Sequence, residues 1–432
     1  MNKDYKELKT FYIFLAGQFV SQFGSKMTSY GLILWAYKQS GSVLSAALLS
    51  VCYLVPEVLL NFIAGSLSET WDKKRIMLIA DGIAAILSCS ILGMLLAGYM
   101  QLEYLYVINF ILGIADAFQS PASEVTVSLI VSKENYMKTS GLQSLFNAFT
   151  TIFYPVIATA LYAFSGLVTI LLIDLCTFLF AFFTLLIGVQ IPKVIVKGET
   201  KESVWDKCLN GIRYLKQEIG LLELIAFMAF VNLIAAIYNT NLAPMILART
   251  ENNDLQLGVV SGTIGVAGLV GSLLVNKAGN SKKKIPAILN IMSFSFLICN
   301  SMLGIGRNYY VWTIAVFMGN VLIPTLTAHV TYIMRTRVPI EMQGRVFSAR
   351  NTLQYLTIPI GNLLGGILAD DIFEPFMSRL SENQGLIEKL VGSGRGSGMA
   401  LLYVVIGIIG FLGCCAFRRS KRLNLLDEQQ DS

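Results

Sequence analysis

The sequence predicts an all-α membrane protein with twelve transmembrane helices in two pseudo-symmetric six-helix bundles. Three observations predict it. The 432 residues are 55% hydrophobic and only 14% charged, with a mean hydropathy of +0.63; a soluble chain carries about 25% charged residues. Apolar runs of about 20 residues, the length a helix needs to cross a bilayer, recur from end to end. The basic residues collect on alternate sides of those runs.

The runs fall at 11–36, 43–68, 76–98, 103–122, 141–164, 166–190, 221–247, 256–277, 285–304, 309–334, 346–369 and 399–417. The first exceeds the roughly 7–15 residues of a signal-peptide core. It also carries Gln18, Gln22 and Lys26, so it reads as a retained helix. The longest polar stretch, 191–220, divides the chain into bundles at 1–190 and 221–432. Within it Trp205, Leu209, Ile212 and Leu215 recur at helical spacing, which predicts an amphipathic helix lying along the membrane face. The seven cysteines show no C-x-x-C spacing; six lie in apolar segments and read as small core- or lipid-facing residues, not as disulfides or metal ligands.

Orientation follows from the bases. With the N-terminus inside, 26 of the 33 Lys and Arg fall in cytoplasmic segments. Six fall outside (Lys38, Arg249, Arg307, Arg379, Lys389 and Arg395), and Lys26 lies within a helix. That bias predicts cytoplasmic termini and a multi-pass protein of the cell membrane. It also accounts for the net charge of +6 through anionic lipid, with no nucleic acid as partner.

The two halves resemble one unit used twice. Pro121 precedes Gly141 by the interval that separates Pro324 from Gly344, and a proline follows inside the next run, Pro155 and Pro359. Gly65-Ser66-Leu67 returns as Gly271-Ser272-Leu273, again ahead of a basic loop. Parallel six-helix repeats imply a carrier that rocks its halves around a central site.

Between the second and third runs lies Gly65-Ser-Leu-Ser-Glu69-Thr-Trp-Asp72-Lys73-Lys74-Arg75. The glycine permits close helix approach, the charges keep the turn out of lipid, and Glu69 could hold the positive end of another helix. A plain charged anchor is the simpler alternative. The pattern resembles the signature loop of the major facilitator superfamily, with Glu69 for its usual aspartate and Asp72 for its second glycine. Gly344-Arg345-Val346-Phe347-Ser348, Ala16-Gly17-Gln18, Ala117-Phe118 and Ser120-Pro121-Ala122 narrow the resemblance to the macrolide-efflux and siderophore-export branch. The resemblance implies a cytoplasmic gate at Gly65, Glu69, Asp72, Lys73, Lys74, Arg75, Gly344 and Arg345. Two departures stand out: the fourth run has Ile111-Leu112-Gly113 where proton-coupled drug exporters carry arginine, and the fifth has Tyr154-Pro155 for glycine-proline.

Ionisable residues inside a membrane are costly and mark function. Lys26, Glu57, Asp116 and Asp174 are therefore the candidates for proton coupling or substrate recognition. For Asp174 and Asp116 a structural role in helix packing is the alternative. Gln22, Asn147, Phe149, Tyr154, Asn232 and Asn239 are candidates to line a cavity for a bulky apolar ligand, although lipid-facing filler is an alternative for any single aromatic. His329, the one histidine, reads as an interfacial residue.

Other classes fit less well. The chain holds no G-x-x-x-x-G-K-[ST] loop for ATP, no catalytic cluster for an enzyme and no filter ring for a channel. The expectation is a monomeric secondary transporter with no cofactor or metal. It exports a bulky, partly apolar small molecule (a macrolide-like drug, a siderophore or a peptide metabolite) by alternating access, driven by protons or another ion. Import or facilitated passage of a small metabolite, or service as permease to a separate ATPase, are the alternatives.

Overall fold

A chain in lipid must satisfy its backbone hydrogen bonds within each segment, which leaves helices as the solution for apolar runs of this kind. The computed structural model describes residues 3–132, 135–191, 213–278, 283–380 and 386–428. Those residues are predominantly helical, and no strand occurs among them. In the first half the helices are α1 (Lys3–Ser40), α2 (Val43–Thr70), α3 (Lys73–Leu96), α4 (Leu102–Ile130) and α5 (Tyr136–Phe183). The second half holds α6 (Ile219–Arg249), α7 (Asp254–Ala278), α8 (Lys284–Phe294), α9 (Ser301–Ile305), α10 (Tyr309–Asn320) and α11 (Ile323–Arg337). It continues with α12 (Ile340–Tyr355), α13 (Thr357–Ile367), α14 (Glu374–Leu380), α15 (Leu386–Val391), α16 (Ser397–Arg418) and α17 (Lys421–Glu428).

Among the described residues, ten helical runs are long and apolar enough to cross a membrane. One of them, Leu145–Gly188, has 44 residues, about 66 Å of helix at 1.5 Å per residue and twice a hydrocarbon core of about 30 Å. Gly166 breaks it at φ 74 and ψ −175, a conformation that excludes most side chains. That run therefore holds two spans. α1, at 38 residues, is also long enough to cross but is too polar to stand among the ten. Twelve spans are consistent with both facts. Many large apolar side chains face outward, among them Ile86 on α3, Ile187 after α5 and Leu273 on α7, each more than 65% exposed. Lipid, not water, suits such a surface.

Contacts divide the chain into two compact units, residues 1–40 with 48–201, and residues 41–47 with 202–432. In the first unit Gly17, Gly24 and Gly31 of α1 recur every seven residues; Gly24 and Gly31 meet the second half of α5 at Thr177 and Ile170, and Gly17 meets Thr184 just after it. Small residues at that spacing let two backbones close together where no hydrophobic force drives association.

In the second unit α6 lies along α12 and α13. Asn241 Nδ2 donates to Gly365 O at 3.2 Å, Asn232 Nδ2 to Gln354 O at 3.4 Å, and the Thr240 hydroxyl to Asn362 Oδ1 at 3.1 Å. The turn at 41–47 belongs to this unit through Asp370, whose carboxylate accepts from Ser42 Oγ at 2.6 Å and from the amides of Val43 and Leu44. α17 docks by burying Leu423 and Leu426, and its Asp427 accepts the amides of Lys284 and Ile285 at the start of α8.

Of the expected linker helix, Trp205, Leu209 and Ile212 lie outside the described residues. The segment 213–217 is helical, and its Leu215 is fully buried.

Candidate functional site

α2 and α4 approach unusually closely, and their sequences dictate it. Pro56 supplies no backbone N–H to its helix. Opposite it on α4 stands Gly113, where a Cβ would come within 2.1 Å of Tyr53 O and 2.8 Å of Pro56 Cγ. No other residue fits there. One turn beyond Gly113 comes Asp116, and one turn beyond Tyr53 comes Glu57, so the glycine contact delivers both acids to one place.

The second unit builds the same contact with the parts exchanged. There the glycine is Gly271 on α7, and a Cβ would meet Val321 O at 2.1 Å and Pro324 Cγ at 3.0 Å beside α11. In each unit the carbonyl lies three residues before the proline. One packing device thus serves both repeats, but only the first carries the acids.

At the α2–α4 contact the Tyr53 hydroxyl donates to Asp116 Oδ2. Lys26 on α1 acts electrostatically on both Asp116 and Glu57. No direct ion pair joins them among the described residues. Tyr53, Glu57 and Asp116 are half-buried, and Lys26 is exposed. Three of the four ionisable candidates therefore lie together, and these three carry a formal charge of −1, one ammonium against two carboxylates; Asp81 of α3 also acts electrostatically on Asp116.

The fourth, Asp174, stands apart. It is 1% exposed and accepts from Ser88 Oγ of α3 at 3.1 Å, with Ser25 and Thr28 of α1 beside it. It lies between α1, α3 and α5, and its Oδ1 is buried with no hydrogen-bond partner among the described residues. A second buried acid lies outside the candidates that the sequence singles out: Asp81 of α3 is 1% exposed, and its Oδ1 accepts from Gln119 Nε2 of α4 at 2.7 Å.

The aromatic candidates converge on the α1–α5 seam. Phe149 packs on Phe153, with ring centres 4.4 Å apart, and on Phe19 and Phe23 of α1. Tyr154 meets Tyr30 edge to face at 5.9 Å. Gln22 and Asn147 are exposed. Lys26 shares α1 with Phe19, Phe23 and Tyr30, so the charged cluster and the aromatic wall hang on one helix. Among the C-terminal amides Asn239 is exposed, while Asn232 is committed to the α6–α12 contact. His329 on α11 is 3% exposed, buried where the sequence suggests an interfacial position.

The charged loop after α2 resolves into local duties. Asp72 Oδ1 accepts the amides of Lys74 and Arg75 and so caps α3, as a short acidic side chain does at a helix start. Arg75 lies 3.9 Å from the Asp72 carboxylate. Lys74 Nζ donates to Leu186 O at 2.9 Å and Val189 O at 2.8 Å, placing a cation on the carbonyls that end the helical run continuing α5. The side chains of Glu69 and Arg345, with Gly65 and Gly344, lie outside the described residues.

Known proteins resemble this chain in sequence and in fold. The macrolide efflux protein A of Streptococcus pyogenes is 26% identical over 371 residues, covering 84% of this chain and 90% of that protein. Its namesake in Enterococcus faecalis is 26% identical over 331 residues, covering 74% and 99%. Among solved structures, a bacterial homologue of the iron transporter ferroportin superposes with a TM-score of 0.70 at 15% identity, covering 96% of this chain and 99% of that one. The family profile of the Major Facilitator Superfamily matches residues 14–362. The chain is a membrane transporter, not an enzyme, and it belongs to the Major Facilitator Superfamily.

Proposed function

We propose that the protein is a proton-driven exporter of the cell membrane, a monomer with both termini in the cytoplasm, that carries a bulky, partly apolar small molecule outward by alternating access. A macrolide-like compound is the first candidate, because curated relatives over most of the chain are macrolide efflux proteins. The two six-helix bundles, 1–190 and 221–432, are the rocking parts, and 191–220 tethers them.

One observation carries the coupling: Lys26, Glu57 and Asp116 form a cluster with one uncompensated negative charge. An uncompensated charge inside a membrane is expensive. One proton makes the cluster neutral, and so does one cationic group on a ligand. A carboxylate that must be neutralised before the carrier can turn over, by a proton in one direction and a ligand in the other, exchanges the two. The Tyr53 hydroxyl orients the Asp116 carboxylate, and the Phe19–Phe23–Phe149–Phe153 wall offers apolar area to the rest of the ligand.

Everted vesicles test direction and energy source together. Energised vesicles containing the protein should accumulate a labelled macrolide and release it when a protonophore is added. Loss of ligand on energisation would show uptake instead, and indifference to the protonophore would remove the proton.

A further inference from the structure

The second unit holds a cavity of about 660 Å³ at the end of α6, apart from the charged cluster of the first unit. Arg249, Arg307, Lys389 and Arg395 line it, together with Glu251 and Glu388. These are four of the six bases that the charge count leaves on the outer side of the chain, drawn from three separate stretches of sequence. Bases are scarce on that side, and solvation alone would scatter them.

Two of the four also shape the cavity. Arg249 donates to Gly306 O at 2.9 Å and to Val391 O, and Arg307 donates to Lys389 O at 2.6 Å. The end of α6, the turn before α10 and α15 are thereby fastened into one rim. A guanidinium has five donors; among the described residues these bonds take two from Arg249 and one from Arg307. Lys389 and Arg395 are exposed, and among the described residues neither side chain bonds to the protein. Four bases against two acids leave a formal surplus of two positive charges.

A second observation is independent of the bases. Glu388 Oε2 is buried and meets no hydrogen-bond partner among the described residues. A buried carboxylate oxygen without a donor is costly, so a donor on whatever fills the cavity would satisfy it.

We propose that this cavity binds a phosphate group that carries its own hydroxyl donor, as a phosphoglycerol does. A tetrahedral anion can be gripped by several bases from different directions, whereas a flat carboxylate is satisfied by one arginine fork. Lys389 and Arg395, with the remaining donors of Arg249 and Arg307, take the phosphate oxygens, and the hydroxyl donates to Glu388 Oε2. The group can come from an anionic lipid headgroup or from a soluble phosphate ester. Only the cavity's sidedness rests on the proposed topology; the binding itself does not.

The test uses the purified full-length protein with two probes, phosphatidylglycerol retained through native mass spectrometry and glycerol 3-phosphate in a thermal-shift titration. The double variant Lys389→Gln/Arg395→Gln removes two bases whose side chains make no rim bonds among the described residues; Arg419→Gln, beyond the far end of α16, is the control. Binding of either probe should fall at least tenfold in the double variant and stay unchanged in the control. Glu388→Leu, which removes the acceptor, should weaken glycerol 3-phosphate more than dimethyl phosphate, which carries no hydroxyl. Retained lipid without a response to glycerol 3-phosphate supports the site with a lipid source, and the reverse supports it with a soluble one. Equal binding by wild type and the double variant, or no binding of either probe to the wild type, overturns the proposal. If the double variant does not fold, the single variants Lys389→Gln and Arg395→Gln replace it: weaker binding in each supports the site, and wild-type binding in both overturns it.

Discussion

The Tyr53 hydroxyl on α2 donates its hydrogen bond to Asp116 Oδ2 on α4. A bond to a charged partner contributes about 1.5–3 kcal/mol, equivalent to roughly a 10- to 150-fold bias between two states of a carrier. Tyr53→Phe keeps the ring and removes only that bond. Active transport should fall about tenfold or more, while expression and the elution volume of the purified protein stay as in the wild type. Unaltered transport would mean that the hydroxyl serves packing alone.

Glycine at 113 is a requirement of the α2–α4 contact, because a Cβ would stand 2.1 Å from Tyr53 O. Alanine normally improves a helix by about 1 kcal/mol over glycine, yet overpacking costs about 1–3 kcal/mol. Gly113→Ala and Gly271→Ala should therefore lower the melting temperature. Gly93→Ala on α3, where no atom lies within 4 Å of the added carbon, should leave it unchanged or raise it. Equal tolerance at all three positions would contradict the close contact.

Asp72 and Asp427 cap equivalent helices, α3 and α8, from different places: one from the residue just before the helix, the other from α17. Removal of a cap costs about 0.5–2 kcal/mol. Asp72→Ala should destabilise, and Asp72→Asn, which still caps, should keep both stability and transport. Transport lost in Asp72→Asn at normal stability would show that the charge itself acts at a gate.

How much of the fold and the site can be read from the sequence depends on what each feature needs. Lys26, Glu57 and Asp116 are legible one by one, because an ionisable residue inside an apolar run has no cheap explanation. Tyr53 is not: a tyrosine in an apolar helix carries no such penalty. Its position one turn before Glu57, on the same helix face, is the available signal. Asn232 reads as a cavity candidate, and its hydrogen bond to a carbonyl on α12 is one that sequence spacing does not reveal. Asp370 falls just beyond the expected end of its apolar run at 369, whereas the helical structure continues through Phe373; the start of α2, which it caps, is 327 residues away from it. Asp81 sits eight residues into α3, and its burial against α4 becomes visible only once the two helices are packed.

Cytoplasmic placement of the central segment can be checked without knowledge of the ligand. A cysteine substituted at Trp205 should react with a membrane-impermeant thiol reagent in everted vesicles and stay silent in intact cells. Reaction from outside intact cells would reverse the proposed topology.

The most direct test of proton coupling is macrolide transport by Glu57→Gln in proteoliposomes with an imposed pH gradient. The substitution leaves Lys26 against Asp116 alone, a neutral pair that needs no proton. Uncoupled exchange of labelled for unlabelled ligand should then persist, while accumulation against a concentration gradient disappears. Full pH-driven accumulation by Glu57→Gln would contradict the coupling role of the cluster.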